Sequence, residues 1–150
     1  MSTDALLDAL GGLRLDDIAP IAPRTITIGV TYDGDDLDHV ASTVGLSRAE
    51  VVARHTSVPY TVVCLGFSRA FPYLSGLDPI LWLPRRDTPR VRVPAGSVAI
   101  AAEQTGIYPQ ASPGGWHLLG HTDVVLFDEH RNPPSLVQPG DIIEFVALSP

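Results

Sequence analysis

The sequence contains no lysine, and all ten of its basic residues are arginines. This absence excludes enzymes that form a Schiff base through lysine and nucleotide-binding proteins that need a P-loop lysine. With 17 acidic residues, the formal net charge is −7. General nucleic-acid binding is therefore not expected, because it depends on cationic side chains that neutralise phosphates.

Cysteine is almost as scarce, since Cys64 is the only one in the chain. An internal disulfide and a zinc site built from several cysteines are both excluded. Cys64 lies within the apolar run YTVVCLGF, and free cysteines are among the most buried residues in proteins. We therefore expect a buried and inert thiol.

Long apolar runs are also missing, as none approaches the roughly 20 residues that span a bilayer. The N-terminus, MSTDALLDALGG, lacks the basic start and apolar centre of a secretory signal. These two features lead us to expect a cytoplasmic protein. The length of 150 residues and the 45% hydrophobic content indicate one principal core. We expect residues 1–23 to form an N-terminal helix and a linker, and residues 24–150 to form the folded domain.

The remaining pattern predicts a mainly β protein with two or three short helices. Leu37, Val40 and Val44 have helical spacing, and Gly45 would end that helix. Ser47 and Glu50 form a capping box that would start a second helix running to about His55. Alternation or β-branched composition predicts strands in four further segments, namely Arg24–Tyr32, Tyr60–Phe67, Val124–Phe127 and Ile142–Leu148.

The chain is organised around Val93–Thr122, which reads VPAGSVAIAAEQTGIYPQASPGGWHLLGHT. Turn-forming residues separate short apolar runs here, which is typical of short strands joined by tight turns. Polar and aromatic residues fall at the bends. Turn chemistry alone explains them as well as a binding site does, so the pattern leaves both interpretations open.

Arginines and aromatic residues before this segment are further site candidates. The run LPRRDTPRVRVP contains four arginines, whose planar forks suit carboxylate or phosphate groups, although a charged edge strand would use them equally well. Phe71 and Tyr73 could line a groove or close the core. No metal-binding spacing is present, although the fold could bring His117 and His121 together.

These motifs in order resemble the allophanate hydrolase subunit 1 family, which includes the B subunit of 5-oxoprolinase and KipI-type kinase inhibitors and is also described as a carboxyltransferase subdomain. The resemblance rests on FPYLSGLDP, PRRDTPRVR, the segment Val93–Thr122, LFD and PGD. It implies a cyclophilin-like β-barrel that works with a subunit 2 partner and, in some assemblies, a lactam-hydrolase subunit. The implied activity is ATP-dependent opening of a lactam, with ATP and Mg²⁺ used by the assembled complex and no cofactor bound by this chain alone.

The resemblance also implies roles for particular residues, while the catalytic residues stay unknown and no metal site is expected. Arginines would hold an anionic group, polar residues would supply hydrogen bonds, and aromatic residues would form an apolar wall. None is an evident acid, base or nucleophile, so the chemistry would need groups from the partner. The substrate-binding candidates are Arg85, Arg86, Arg90, Gln104, Thr105, Tyr108, Ser112, Trp116, Phe71 and Tyr73.

The sequence departs from the family pattern at several positions. The usual Gly-Phe-x-Pro-Gly-Phe-Pro-Tyr-Leu is GFSRAFPYL here, with Arg69 and Ala70 replacing Pro and Gly. Ala102-Glu103 replaces the usual Gly-Gly, and His121 replaces an arginine. Family members usually carry a further N-terminal domain. Three functions therefore stay open, namely a hydrolase subunit, a non-catalytic KipI-like regulatory module, or part of a urea carboxylase-type carboxyltransferase.

Overall fold

The computed structural model describes residues 21–66 and 68–149, and it is mainly β-structure. No helix in this part of the chain is long and apolar enough to cross a membrane. The predicted N-terminal helix lies outside the described residues. The helices are α1 (Leu37–Val44), α2 (Arg48–Thr56) and a short 3-10 helix (Pro79–Leu81). The strands are β1 (Thr25–Val30), β2 (Tyr60–Gly66), β3 (Phe71–Ser75), β4 (Arg90–Val93), β5 (Ser97–Ala101), β6 (Gln104–Ile107), β7 (Ser112–Gly114), β8 (His117–His121) and β9 (Ile142–Ala147).

Seven of these strands form one sheet in the order β1–β9–β2–β3–β6–β5–β8. Its two edges meet where Thr31 pairs with His121 through two backbone hydrogen bonds of 2.9 Å. A Cβ atom at Gly120 would lie 2.2 Å from the carbonyl oxygen of Thr31, so this junction requires glycine. The sheet is thus a nearly closed barrel, and the prediction of a mainly β barrel is confirmed.

All five residues of β5 are buried, because this strand packs against a hydrophobic cluster on each of its two faces. The cluster outside the barrel is a second, outer core. Val98 and Ile100 belong to the main core, whereas Ala99 and Ala101 belong to a separate cluster. A strand with one face in water would alternate between buried and exposed residues. Here the ribbon of β4 and β7 supplies Val93 to the second cluster, so both faces of β5 are covered.

The local signals for helices and turns are confirmed. Gly45 ends α1 in the left-handed conformation, with φ 73°. Ser47 Oγ accepts from the Glu50 amide at 3.2 Å, and the Glu50 carboxylate accepts from the Ser47 amide at 2.8 Å. Pro139 and Gly140 form a tight turn, in which the Asp141 amide donates to Gln138 O at 3.0 Å.

The strand predicted at Val124–Phe127 is wrong, because only Phe127 makes a β-bridge, with Ser135. The facing segment includes Pro133 and Pro134, which have no backbone N–H to donate to a ladder. In addition, the Val124 amide donates to the side chain of Thr122 at 3.3 Å instead of to a strand. The segment therefore runs as irregular chain.

The prediction of a buried Cys64 is also wrong, because its thiol is exposed. β2 begins with the expected alternation, in which Tyr60 and Val62 are buried. A register shift between Val62 and Cys64 then interrupts its pairing with β3. Such a bulge places two successive residues opposite one partner, so Val63 and Cys64 both lie on the exposed side.

A buried hydrogen-bond chain fixes α2 on the barrel. His55 Nε2 lies 2.9 Å from Thr105 Oγ1, and His55 Nδ1 lies 2.6 Å from the Tyr32 hydroxyl. Thr105 donates its own proton to Ala99 O at 3.0 Å, so its oxygen accepts from His55 Nε2–H. Burial lowers the pKa of His55 to about 3, which keeps the ring neutral. Tyr32 therefore donates to His55 Nδ1.

A buried carboxylate ties the arginine run to the barrel, in an arrangement that we call the Asp36 clamp (Asp36, Arg86, Arg90 and the Leu118 amide). Arg90 donates twice to Asp36, at 2.7 and 2.9 Å, and Arg86 Nη1 forms a further ion pair with it. The Leu118 amide donates to the same carboxylate at 2.8 Å. Burial by itself would raise the pKa of Asp36, but the Arg90 and Leu118 hydrogen bonds and the two arginine charges hold it below its usual value.

We predict that Asp36→Asn lowers the free energy of unfolding by about 3 kcal/mol, because two largely buried guanidinium groups lose their carboxylate. Urea denaturation near neutral pH measures this loss. Since the pKa of Asp36 is lowered, its stabilisation is present above the ordinary aspartate pKa and is lost as the pH falls through the lowered value. The free energy of unfolding of Asp36→Asn should therefore lack this loss at acid pH.

Asp38→Asn is the matched control, because the one ion pair of Asp38 with another described residue is an exposed one, with Arg48 at 3.3 Å. It should leave the unfolding curve nearly unchanged. Equal losses in the two variants would show that the Asp36 clamp contributes no more than a surface pair does.

We predict that Ala70→Gly and Ala102→Gly each stabilise the fold by roughly 0.5–1 kcal/mol. Both alanines adopt the left-handed conformation, with φ 61° and φ 50°, where a Cβ atom is strained. Ala53→Gly within α2 should instead destabilise by about 1 kcal/mol. A thermal denaturation series in which all three variants lose stability would refute the strain at residues 70 and 102.

Candidate functional site

The outer core opens into a cavity of about 250 Å³, which we call the aromatic cavity. Four aromatic side chains and one arginine form it, together with a turn rich in proline and glycine. Its residues come from β3, the segment before β4, the end of β6, and β7 with the turn that follows it. They are Phe71, Tyr73, Arg85, Pro89, Tyr108, Pro113, Gly114, Gly115 and Trp116.

The four aromatic rings hold one another at defined angles. Phe71 contacts Tyr108 and Trp116 edge to face, with ring centroids 5.1 and 5.4 Å apart. Tyr73 meets Trp116 in a similar way at 5.9 Å. Edge-to-face pairs of this kind add stability beyond the area that they bury. The wall of the cavity is therefore rigid and apolar.

Two glycines make room for this arrangement. A Cβ atom at Gly106 would lie 2.8 Å from the Phe71 ring and 3.0 Å from Trp116. A Cβ atom at Gly114 would lie 2.2 Å from the Tyr108 hydroxyl. Any side chain at either position would displace the rings, so the glycines of QTGIY and SPGGW shape the cavity.

Arg85 brings positive charge to this apolar wall. Among the described residues it makes no ion pair, in contrast to Arg86 and Arg90 in the Asp36 clamp. Burial raises the pKa of Tyr108, and the backbone of Trp116 and the charge of Arg85 offset part of that rise. The Tyr108 hydroxyl therefore stays protonated at neutral pH. The cavity combines aromatic rings, one phenol and one guanidinium.

The structure brings together five of the residues that the sequence singled out, namely Phe71, Tyr73, Arg85, Tyr108 and Trp116. The other candidates do not line the aromatic cavity. Thr105 lies inside the barrel against His55, and Gln104 and Ser112 begin β6 and β7. A ligand-binding role for these three residues stays a prediction.

A second and larger opening, of about 590 Å³, lies beside the aromatic cavity, and Arg85 lines both. We call it the polar cleft. Most of its lining is charged or hydroxylated, and it comes from α1 with the residue before it, the segment before β4 and the first residue of β8. Its residues are Asp36, His39, Thr43, Leu83, Pro84, Arg85, Arg86, Asp87, Thr88 and His117.

The histidines of β8 are not brought together. His117 stacks on His39, with ring centroids 5.6 Å apart, whereas His121 pairs with Asp33 at 2.8 Å. Within residues 21–66 and 68–149, no three His, Cys, Asp or Glu side chains are grouped so that they could hold a metal ion.

Sequence reasoning missed most of the polar cleft. Asp36 lies in the acidic stretch DGDD, which reads as a turn, and nothing local shows that two arginines 50 or more residues later reach it. The one signal in the sequence was that Asp36 stands directly before a predicted helix. If such an aspartate is buried, it needs partners for its charge. His39 carries no comparable signal, since its contact with His117 depends on how α1 packs.

Two curated relatives are similar to this chain over most of its length. The B subunit of 5-oxoprolinase from Escherichia coli O157:H7 is 52% identical over 126 residues, which are 82% of this chain and 58% of the relative. Its counterpart of the same name from Bacillus subtilis (strain 168) is 44% identical over 142 residues, or 91% of this chain and 59% of the relative. This chain thus spans less than three fifths of either protein.

The fold has a close counterpart among solved structures. The crystal structure of TTHA0988 superimposes with a TM-score of 0.87 at 46% identity, covering 100% of this chain and 29% of that one. The sequence profile of the carboxyltransferase domain, subdomain C and D, matches residues 2–137. That match takes in the aromatic cavity and the polar cleft. The chain therefore belongs to the family of the carboxyltransferase domain, subdomain C and D.

Proposed function

We propose that this chain is a subunit of a 5-oxoprolinase-type enzyme, an ATP-dependent lactam hydrolase that acts with a subunit 2 partner and a lactam-hydrolase subunit. The names of the two curated relatives support this proposal. Their similarity covers residues that build the aromatic cavity. The proposed substrate is 5-oxoproline, a five-membered lactam ring that carries a carboxylate.

The observation that carries the proposal is the aromatic cavity with Arg85 at its wall. A volume of about 250 Å³ suits a small ring, and four aromatic side chains give it apolar contact. Arg85 has no carboxylate partner among the described residues, so its guanidinium is available to the substrate carboxylate. Arginine binds carboxylates through two parallel hydrogen bonds, which fixes their orientation as well as their position.

The lining of the aromatic cavity supplies binding groups and no evident catalytic base. Tyr108 stays protonated because burial raises its pKa, so it can donate a hydrogen bond to a carbonyl oxygen. The other polar side chains that line the aromatic cavity are Tyr73 and Arg85. In the proposed enzyme this chain binds and orients the lactam, and the partner subunits supply the reacting groups together with ATP and Mg²⁺.

We predict that Arg85→Gln weakens 5-oxoproline binding about tenfold or more, because a charge-assisted hydrogen-bonded pair is lost. Isothermal titration of the purified chain measures this change. Pyrrolidin-2-one, which has the ring but no carboxylate, should bind wild type and variant equally. Arg92→Gln is the control, since Arg92 is exposed on β4 and lines neither opening. Undiminished 5-oxoproline binding by Arg85→Gln would exclude the assigned role.

We also predict that the purified chain alone shows no ATP hydrolysis dependent on 5-oxoproline, and that activity needs the partner subunits. A coupled ADP assay compares the chain with the co-purified complex. In that complex, Arg85→Gln should raise KM for 5-oxoproline more than it lowers kcat, because the carboxylate is bound equally in the ground state and the transition state. ATP hydrolysis by the isolated chain would contradict the proposal that the partner subunits supply the reacting groups.

A further inference from the structure

We propose that the polar cleft is a second ligand site, which binds a small oxyanion that carries its own proton, such as hydrogen phosphate or bicarbonate. This proposal is independent of the function proposed for the aromatic cavity. It rests on two buried polar atoms of opposite hydrogen-bonding character and on the charge of the surrounding side chains.

The first of these atoms is Nδ1 of His117, whose side chain is about nineteen-twentieths buried. His117 Nε2 lies 2.8 Å from the carbonyl oxygen of Pro84. A carbonyl only accepts, so Nε2 carries a proton and donates it to Pro84 O, and in the singly protonated ring Nδ1 is left as an acceptor. Nδ1 has no hydrogen-bond partner among the described residues. A ligand that satisfies it must bring an N–H or O–H group.

The second atom is Nε of Arg86, which is also buried and has no partner within residues 21–66 and 68–149. Arg86 gives Nη1 to Asp36, so its charge is held in place while its Nε–H is left without an acceptor among the described residues. Buried donors and acceptors are normally paired, because leaving one unpaired costs free energy. A ligand that satisfies Arg86 must present an acceptor oxygen.

The charge of the polar cleft distinguishes an anion from a neutral amide, which could also offer both groups. Two arginines (Arg85 and Arg86) and two aspartates (Asp36 and Asp87) line the cleft. Arg90 lies outside this lining but also pairs with Asp36, so the Asp36 clamp holds two positive charges on one carboxylate and has one in excess. This excess occurs in a chain whose formal net charge is −7. A small anion with an O–H group satisfies the acceptor, the donor and the charge together.

His39 gives the oxyanion a route to His117. Its ring is exposed and stacks on His117 at an interplanar angle of 22°. An exposed ring can change rotamer without disturbing the core, so its movement uncovers the His117 ring from the cleft side. Arg85 lines both openings, and a bound oxyanion would lie next to any ligand of the aromatic cavity.

The test compares four ions on the wild-type chain by NMR titration near neutral pH, with the ring nitrogens of His117 as reporters. Hydrogen phosphate and bicarbonate carry an O–H group, whereas sulfate and acetate offer acceptors only. We expect phosphate or bicarbonate to bind at least tenfold more tightly than sulfate and acetate, and to shift the Nδ1 resonance. Comparison of the phosphate and bicarbonate titrations identifies the preferred ion. Equal binding of sulfate, or no response of His117 to any ion, would overturn the proposal.

Two variants test the Arg86 contact and the His117 contact separately. Arg86→Lys keeps a cation for Asp36 but has no Nε–H, so it should bind phosphate at least fivefold more weakly with little change in thermal midpoint. His117→Phe should lose the preference for phosphate over sulfate. His121→Gln is the control, because His121 lies outside the polar cleft, and its phosphate affinity should be unchanged. If either cleft variant fails to fold, the ion comparison on wild type still decides the proposal.

Discussion

The buried carboxylate of Asp36 holds Arg86 and Arg90 in place on the barrel. It accepts three hydrogen bonds from Arg86 and Arg90 and a fourth from the Leu118 amide. A buried carboxylate without such partners would be strongly destabilising, so the clamp is a condition for packing α1 against β8. The same contacts fix the segment before β4, and they leave neighbouring Arg85 at the junction of the aromatic cavity and the polar cleft.

The burial of β5 on both faces explains why the aromatic cavity lies outside the barrel. The interior is packed with buried aliphatic side chains, with Tyr60 and Phe145, and with the hydrogen-bond chain through His55. Ala99 and Ala101 present small side chains outward, and the aromatic rings of Phe71, Tyr108 and Trp116 pack over them. The barrel therefore serves as a rigid support, and the residues with binding chemistry lie on its outer surface beside the ribbon of β4 and β7.

The sequence predicted those features that depend on neighbouring residues. The capping box at Ser47, the glycine that ends α1 and the alternation of β1 are local, and all three are present. The aromatic residues of FPYL, TGIY and GGW were recognised as candidates, and they do meet in one cavity. Long-range features were not accessible. The bulge that exposes Cys64 and the pairing of Asp36 with distant arginines depend on strand register and on helix packing, which no local pattern encodes.

We propose that Arg85 and the aromatic cavity bind the anionic ring of a lactam substrate, while Arg86 and Arg90 stay on Asp36. A crystal structure of the chain soaked with 5-oxoproline tests this claim most directly. We expect the ring to lie among Phe71, Tyr73 and Trp116, with its carboxylate on Arg85 and the Asp36 clamp intact. A ligand bound elsewhere, or one that draws Arg86 or Arg90 away from Asp36, would contradict it.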